Sequence, residues 1–527
     1  MPKVLISDKL APEAVDIFKD RGVEVDFRPG LSAEELLEII GDYDGLAIRS
    51  ATKVTPEVLA KATKLRAVGR AGIGVDNVDV PAATKAGVVV MNTPFGNSVT
   101  TAEHAITMML SLTRQIPQAH MSTIAGKWEK SKFLGTEISG KRLGLIGCGN
   151  IGAIVADRAQ GLKMRVMGFD PFLTPERAKQ LGIEKVELDE LLAKADFITL
   201  HTPLTDSTRN IISADALQKT KKGVRIINCA RGGLIDEVAL CAALHSGHVA
   251  GAALDVFAEE PARENVLFEA PNLIATPHLG ASTLEAQEKV ALQVAEQLSD
   301  YLVDGAVTNA LNMASVTAEE APILQPYMTL GRLLGSFLGQ IDTPDIQSVQ
   351  LEFDGKAANL NEGPVLASTL AGLLGPKMDS VNMVNAAAVA SSNGVNVATV
   401  RHDRRCDYES LLRVTVGFEG GSRTIAGTLV GGNMPRLVEV QDIPVEADFP
   451  ENMLYVRNYD KPGFVGAIGN VFGDLGLNIA TFHLGRKEES GEAIALVEID
   501  GTISDDAVRS VAALEQIVRV DRLSFTS

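Results

Sequence analysis

Cysteine is scarce in this chain of 527 residues, with four copies at Cys148, Cys229, Cys241 and Cys406. None forms a CxxC pair or stands at zinc-finger spacing. A disulfide framework and a thiolate metal site are therefore disfavoured, no metal is expected, and a reducing compartment fits best. Positive charge is in deficit: 49 Lys and Arg stand against 67 Asp and Glu, a net charge of −18. Such a chain repels phosphate backbones and anionic lipid, so nucleic acid and membrane surfaces are excluded as expected partners. A local basic cleft could still hold a small anion. No apolar run approaches the length of a membrane span, and the start lacks the apolar stretch of a secretory leader. A cytoplasmic protein is the expectation.

What is present suits several ordinary cores. The chain is 46% hydrophobic and contains 48 glycines, and its length corresponds to about three or four domains. Residues 1–98 alternate short β-rich runs (Val4–Ser7, Val23–Phe27, Gly45–Ile48, Ala67–Val68, Val88–Met91) with helical patterns. That βαβα order predicts a parallel sheet covered on both faces. One long helix is expected over Ser98–His120, then a second alternating series beginning at Arg142–Ile146, and another helix at Ser282–Leu302. Residues 313–451 are rich in Ala, Gly, Asn and Val and show no obvious chemistry. The last segment, 452–527, reads βαββα with a possible final strand at Val518–Ser524.

The first chemical motif is Gly147-Cys148-Gly149-Asn150-Ile151-Gly152. It follows a strand and opens a helix, and Asp170 ends the next strand about 20 positions further on, the fingerprint of a dinucleotide site. Gly147 allows the tight turn, Gly149 lets backbone approach a pyrophosphate, and Gly152 lets helix and strand pack closely. Asp170 would accept from a ribose 2′-hydroxyl and repel a 2′-phosphate, so NAD is expected. Three further residues follow predicted strands of the same domain: Arg231 after Asn228-Cys229-Ala230, Glu260 in the segment Asp255–Pro261, and His278 in Thr276–Gly280. Ligands bind outside the carboxyl ends of parallel strands, so these loops should share one crevice. The trio suits oxidation of an alcohol beside a carboxylate. The imidazole takes the hydroxyl proton, the acid orients it, and the guanidinium grips the carboxylate.

On these segments the chain resembles the D-isomer-specific 2-hydroxyacid dehydrogenases over roughly residues 1–312. The resemblance implies an α/β fold with two Rossmann-like doubly wound parallel-sheet domains. One is a substrate domain at 1–98, completed by 288–312; the other is an NAD domain at 99–287. It also implies catalytic roles for Arg231, Glu260 and His278, with Asn150, Ile151 and Asp255 joining the glycines and Asp170 around NAD. In the front domain Arg49 and Arg70 offer two guanidinium groups that suit a phosphate. Gly72 and Gly74 could present backbone N–H groups to a carboxylate, and the resemblance adds Asn97 as a substrate contact. A hydroxy acid carrying a phosphate is thus the expected substrate. A reductase of glyoxylate or hydroxypyruvate, or an NAD-sensing binding protein, remains open. Lys130 and Lys132 are further basic candidates that could reach in from a partner subunit, although lone lysines are more often solvated.

Behind these lie two smaller α+β regulatory domains, expected at 313–451 and 452–527. The first resembles the intervening domain of the family's long forms. The second resembles an ACT domain through Asp460-Lys461-Pro462-Gly463 and Gly476-Leu477-Asn478-Ile479. Asn458, Asp460 and Asn478 are expected to cluster around an amino-acid effector such as serine. Relatives that bind serine usually have histidine or tyrosine where Asn458 stands, a departure that counts against serine feedback. The resemblance implies a homotetramer.

Overall fold

The computed structural model describes residues 1–525 except 318, 342–344, 379 and 403–406. Cys406 and residues 403–405 of the basic run beginning at Arg401 lie outside the described residues.

The first sheet comprises β1 (Lys3–Ile6), β2 (Glu24–Phe27), β3 (Gly45–Ile48), β4 (Ala67–Arg70) and β5 (Val89–Asn92), all parallel in the order β2-β1-β3-β4-β5. Its central strands are short apolar runs because helices cover both faces. One covering helix, Leu284–Ser299, comes from far along the chain and packs Val290, Ala291, Val294, Ala295 and Leu298 against Val4, Ile6 and Ala47. Gly69 makes this possible: a Cβ there would lie 2.6 Å from Val294 and 2.7 Å from Leu298.

The second sheet holds β6 (Arg142–Ile146), β7 (Arg165–Phe169), β8 (Glu184–Lys185), β9 (Phe197–Leu200), β10 (Val224–Asn228), β11 (Val249–Leu254) and β12 (Leu273–Ala275). All pairs are parallel, in the order β12-β11-β10-β9-β6-β7-β8. The order reverses between β6 and β9, which places a ligand crevice at their carboxyl ends. The expected single helix Ser98–His120 is instead two. The first ends at Arg114, Gln115 turns left-handed at φ 51°, and a second runs Ile116–Ile124. Pro117 accounts for the break, since in a continuous helix it would have no N–H for the Thr113 carbonyl and its ring would clash there, whereas proline fits the first turn of a new helix.

The rear of the chain has a six-stranded sheet, β13 (Ile346–Gly355), β14 (Asn396–His402), β15 (Ser410–Phe418), β16 (Gly421–Val430), β17 (Met434–Val440) and β18 (Ile443–Ala447). It lies against the helices Ala321–Gln340 and Glu362–Leu374. Those helices meet backbone to backbone: a Cβ on Gly335, Gly339 or Gly372 would strike the facing main chain. A last antiparallel sheet, β19 (Met453–Tyr459), β20 (Ile479–Arg486), β21 (Glu492–Ile499) and β22 (Ile517–Leu523), is ordered β20-β21-β19-β22. Its strands alternate. Met453, Tyr455, Ile494 and Leu496 join the core of the preceding sheet, while Leu454, Val456, Ala495 and Val497 face the tail's own helices. The two rear modules therefore share one core. A short segment, 382–385, ties them to the front: Asn382 donates to Gly87 O at 2.9 Å, and Val384 is buried in the substrate lobe.

Candidate active site

A cleft of about 800 Å³ opens between the first two sheets. Arg49, Lys53, Arg70, Asp76 and Asn97 line one side, and Phe257, Glu260, Thr276 and His278 line the other. These side chains come from loops at the carboxyl ends of strands in both sheets.

His278 and Glu260 meet. The His278 Nδ1 and Glu260 Oε2 atoms are 2.7 Å apart, and Glu260 Oε1 accepts from Phe257 N–H at 3.0 Å. The Glu260 bond raises the imidazole above its usual pKa against the opposing effect of burial. Burial would raise the Glu260 carboxyl, but the bonds from His278 and Phe257 outweigh it and hold the group below the usual carboxylate range. His278 sits at φ 56°, left-handed backbone that a non-glycine residue adopts at a cost. Its N–H donates to Asp255 O at 2.9 Å, which fixes that conformation.

Asp255 departs from expectation. It was expected to touch NAD, but it is 0% exposed. Its oxygens accept from Thr276 Oγ1 at 2.5 Å and from the Leu279 and Gly280 N–H groups at 2.8 Å each, with His104 Nε2 3.3 Å away. A carboxylate enclosed in this way holds the loop that carries His278.

Arg231 extends from the end of β10 to the opposite lobe. Its Nε is 3.0 Å from Asp76 Oδ2, and its Nη1 donates to Ala230 O at 2.6 Å. Arg70 is largely buried, and its Nε has no partner among the described residues. Burial, and then the neighbouring Arg231 cation, pull its guanidinium down to about 10, so it remains charged at neutral pH. Asn97 Oδ1 is also buried without a partner among the described residues. Arg49 is half-buried and held by its backbone: Asp8 Oδ2 accepts its N–H at 2.6 Å, and Asn77 donates to its carbonyl at 2.7 Å.

The glycines of this lobe do something other than expected. Gly72 N–H, expected to greet a carboxylate, is already donated to Thr93 Oγ1 at 2.6 Å. Gly72 and Gly74 also give space, since a Cβ on the first would strike Arg70 and on the second Arg231. They are seats for two guanidinium groups. Lys130 and Lys132 are absent from the cleft lining, and Lys132 lies 3.6 Å from Glu129. Lys53 and Asp76 were missed. The signals for them were adjacency, Lys53 to the Arg49 loop and Asp76 to Gly72–Gly74.

The glycine loop fits a dinucleotide. Gly147 (φ 93°) turns the chain where a Cβ would lie 2.5 Å from His201 O. Space above Gly149 is open, and the helix Asn150–Gly161 starts there without a side-chain cap. Its first N–H groups are thus available to a pyrophosphate. Asn150 is exposed and Ile151 half-buried at this opening. Asp170 accepts from Cys148 N–H and Phe172 N–H, each at 2.8 Å, and keeps lone pairs for ribose hydroxyls. Burial and Asp170 push the Cys148 thiol up to about 12, so it stays protonated.

The rear cleft differs from its expectation. Asp460 lines it, with Lys461, Arg486 and Ser490, and Arg486 Nη1 donates to Asp460 at 2.8 Å. Asn458 and Asn478 do not line it. Asn458 is a central β19 residue, 1% exposed, and Asn478 donates to Asp500 at 2.6 Å. Among the described residues no helix is long and apolar enough to cross a membrane.

Fold and cleft together define an oxidoreductase of the 2-hydroxyacid type. The model of the D-isomer specific 2-hydroxyacid dehydrogenase NAD binding domain matches residues 106–280, so the cofactor is NAD. The D-3-phosphoglycerate dehydrogenase intervening domain matches 323–441, and the ACT domain matches 452–521. The chain is 40% identical over 522 residues to the D-3-phosphoglycerate dehydrogenase of Bacillus subtilis (strain 168), covering 99% of each. It is also 40% identical over 520 residues to that of Methanocaldococcus jannaschii, covering 98% of each. Among solved structures, a glyoxylate reductase from Paecilomyes thermophila is 33% identical with a TM-score of 0.55, over 59% of this chain and 98% of that one. The chain belongs to the D-3-phosphoglycerate dehydrogenase family.

Proposed function

We propose that this protein oxidises 3-phospho-D-glycerate to 3-phosphohydroxypyruvate with NAD, the first step of L-serine synthesis. The carrying observation is one cleft that holds both an acid–base pair, His278–Glu260, and a separate cationic end, Arg49, Lys53 and Arg70. A phosphorylated hydroxy acid has one group for each end.

With Nδ1 engaged by Glu260, Nε2 of His278 is the atom that takes the substrate's hydroxyl proton. Glu260 fixes the ring and stabilises the imidazolium. Arg231 grips the carboxylate beside the reacting carbon and polarises its oxygen. Arg70 and Arg49 hold the phosphate, and Asn97 is a further substrate contact, its amide able to donate to the anion. Gly147, Gly149, Gly152 and the N-terminal turn at Asn150 and Ile151 cradle the pyrophosphate, with Asp170 on the ribose. NAD, when bound, is the two-electron acceptor.

At the rear, a small-molecule effector is the reading for the ACT domain, with serine the ligand of choice and Asp460, Lys461 and Arg486 its contacts. The assembly is a homotetramer in the cytoplasm. Exposed Ile116, Met121, Ile124 and Trp128 on and after the second helix supply an apolar face for a partner. The test is NADH formation from 3-phosphoglycerate with a trap for the product. Turnover supports the reading. Equal or better turnover of unphosphorylated glycerate, or preferred reduction of glyoxylate, counts against it.

A further inference from the structure

Asp76 has no part in the chemistry above. It lies in the loop between β4 and the helix Val80–Lys85, on the substrate lobe, with its side chain 71% exposed at the cleft. Arg231 belongs to the NAD lobe. Their 3.0 Å contact is therefore an ion pair across the cleft.

Surface ion pairs are commonly incidental, but this one is built. A Cβ on Gly74 would run into Arg231 Nη2 and lie 2.9 Å from Asp76 Oδ2, so bare backbone is what lets the two side chains meet. Ala230 O holds the other edge of the guanidinium through Nη1 at 2.6 Å. Asp76 also stands among the cations Arg49, Lys53 and Arg70, where an acid offsets repulsion between Arg70 and Arg231.

We propose that Asp76 is a positioning residue, whose carboxylate holds the Arg231 guanidinium by charge at its Nε edge so that, with Nη1 on Ala230 O, Nη2 is left to face the substrate carboxylate. A guanidinium is a rigid planar fork, so a charge at one edge and a hydrogen bond at Nη1 limit where its remaining N–H groups point. Asp76 also makes the carboxylate grip depend on the two lobes standing at one separation, because the anchor and the arginine come from different lobes. The inference rests on the function proposed above for Arg231.

The test uses full-length enzyme with Asp76→Ala and Asp76→Glu, read by kinetics and by calorimetric titration of 3-phosphoglycerate into the NADH-saturated protein. Asp76→Ala is expected to weaken binding and raise KM about tenfold, with kcat changed less than about threefold, because orientation of the carboxylate is lost. NADH binding and Tm stay as in the wild type. Asp76→Glu, which keeps a carboxylate beside Nε, is expected to return KM to within about threefold of wild type. Unchanged or tighter substrate binding in Asp76→Ala overturns the proposal, since the acid would then be idle or a competitor. So does a Glu variant as poor as the Ala variant, or a parallel loss of NADH binding. Should Asp76→Ala fail to fold, Asp76→Ser takes its place, its hydroxyl being too short to reach Nε. If the wild type does not turn over 3-phosphoglycerate, the proposed function fails separately, and the same variants are read with D-glycerate, which keeps the carboxylate.

Discussion

The front cleft and the rear cleft are both lined by charge, and they use it in opposite ways. In front, Arg70 is half-buried with its Nε enclosed and unpartnered among the described residues, and Arg231 is held by Asp76 at Nε and Ala230 O at Nη1 while Nη2 remains for a ligand. At the rear, Asp460 and Arg486 pair with each other at the surface. Buried, partly unspent donors hold an anion tightly, because the cost of stripping their water was met on folding. An exposed pair already satisfied must be broken first, which yields a weaker and more salt-sensitive site. The front is thereby suited to chemistry and the rear to a graded response.

The largest break in that contrast is expected at His278. His278→Gln should lower kcat about 10³-fold, in keeping with loss of a general base, while NADH binding by fluorescence stays intact. Next, Arg70→Ala should raise KM for 3-phosphoglycerate about 100-fold and Arg49→Ala about tenfold, the buried guanidinium carrying the larger charge-assisted bond. Neither should move KM for D-glycerate. A common shift for both substrates would mean that these arginines hold the lobe together and do not read phosphate.

Glu260→Gln sharpens the assignment of the base through pH. Glu260 raises the imidazole, and His278 must be neutral to accept a proton, so wild-type rate climbs as pH rises through the raised value. Removing the carboxylate lowers that value. The acidic limb of the rate profile should move to lower pH, with kcat down about tenfold. A fixed limb would assign it to another group. The smallest effect belongs to the rear: Asp460→Ala should leave kcat within about twofold without effector, yet abolish any response to added serine. An undiminished serine response would move the effector site elsewhere.

Much of the front could be read before the structure because its chemistry is local in sequence. Gly147–Gly152 needs its glycines for backbone reasons alone, and Arg231, Glu260 and His278 each follow a strand whose direction fixes where they point. What could not be read depends on contacts between distant elements. Asp255 looks like a cofactor ligand in sequence, and only the loop 276–280 folded over it shows its oxygens to be consumed. Gly72 looks like an anion nest until Thr93 takes its N–H. Asn458 sits beside the DKPG turn in sequence, but strand alternation turns it inward while Tyr459 faces out. Residues 313–451 were opaque because their helices pack through Gly335, Gly339 and Gly372, a close approach that depends on the facing helix and not on local sequence.

The central claim is that one end of the cleft reads phosphate while the other performs the oxidation. The most direct measurement is kcat/KM for 3-phospho-D-glycerate against D-glycerate, followed by NADH absorbance in wild type and in Arg70→Ala. The account predicts a preference of at least about 100-fold for the phosphorylated acid in wild type, collapsing in the variant. A wild type indifferent to the phosphate, or a preference that survives the loss of Arg70 and Arg49 together, would contradict it.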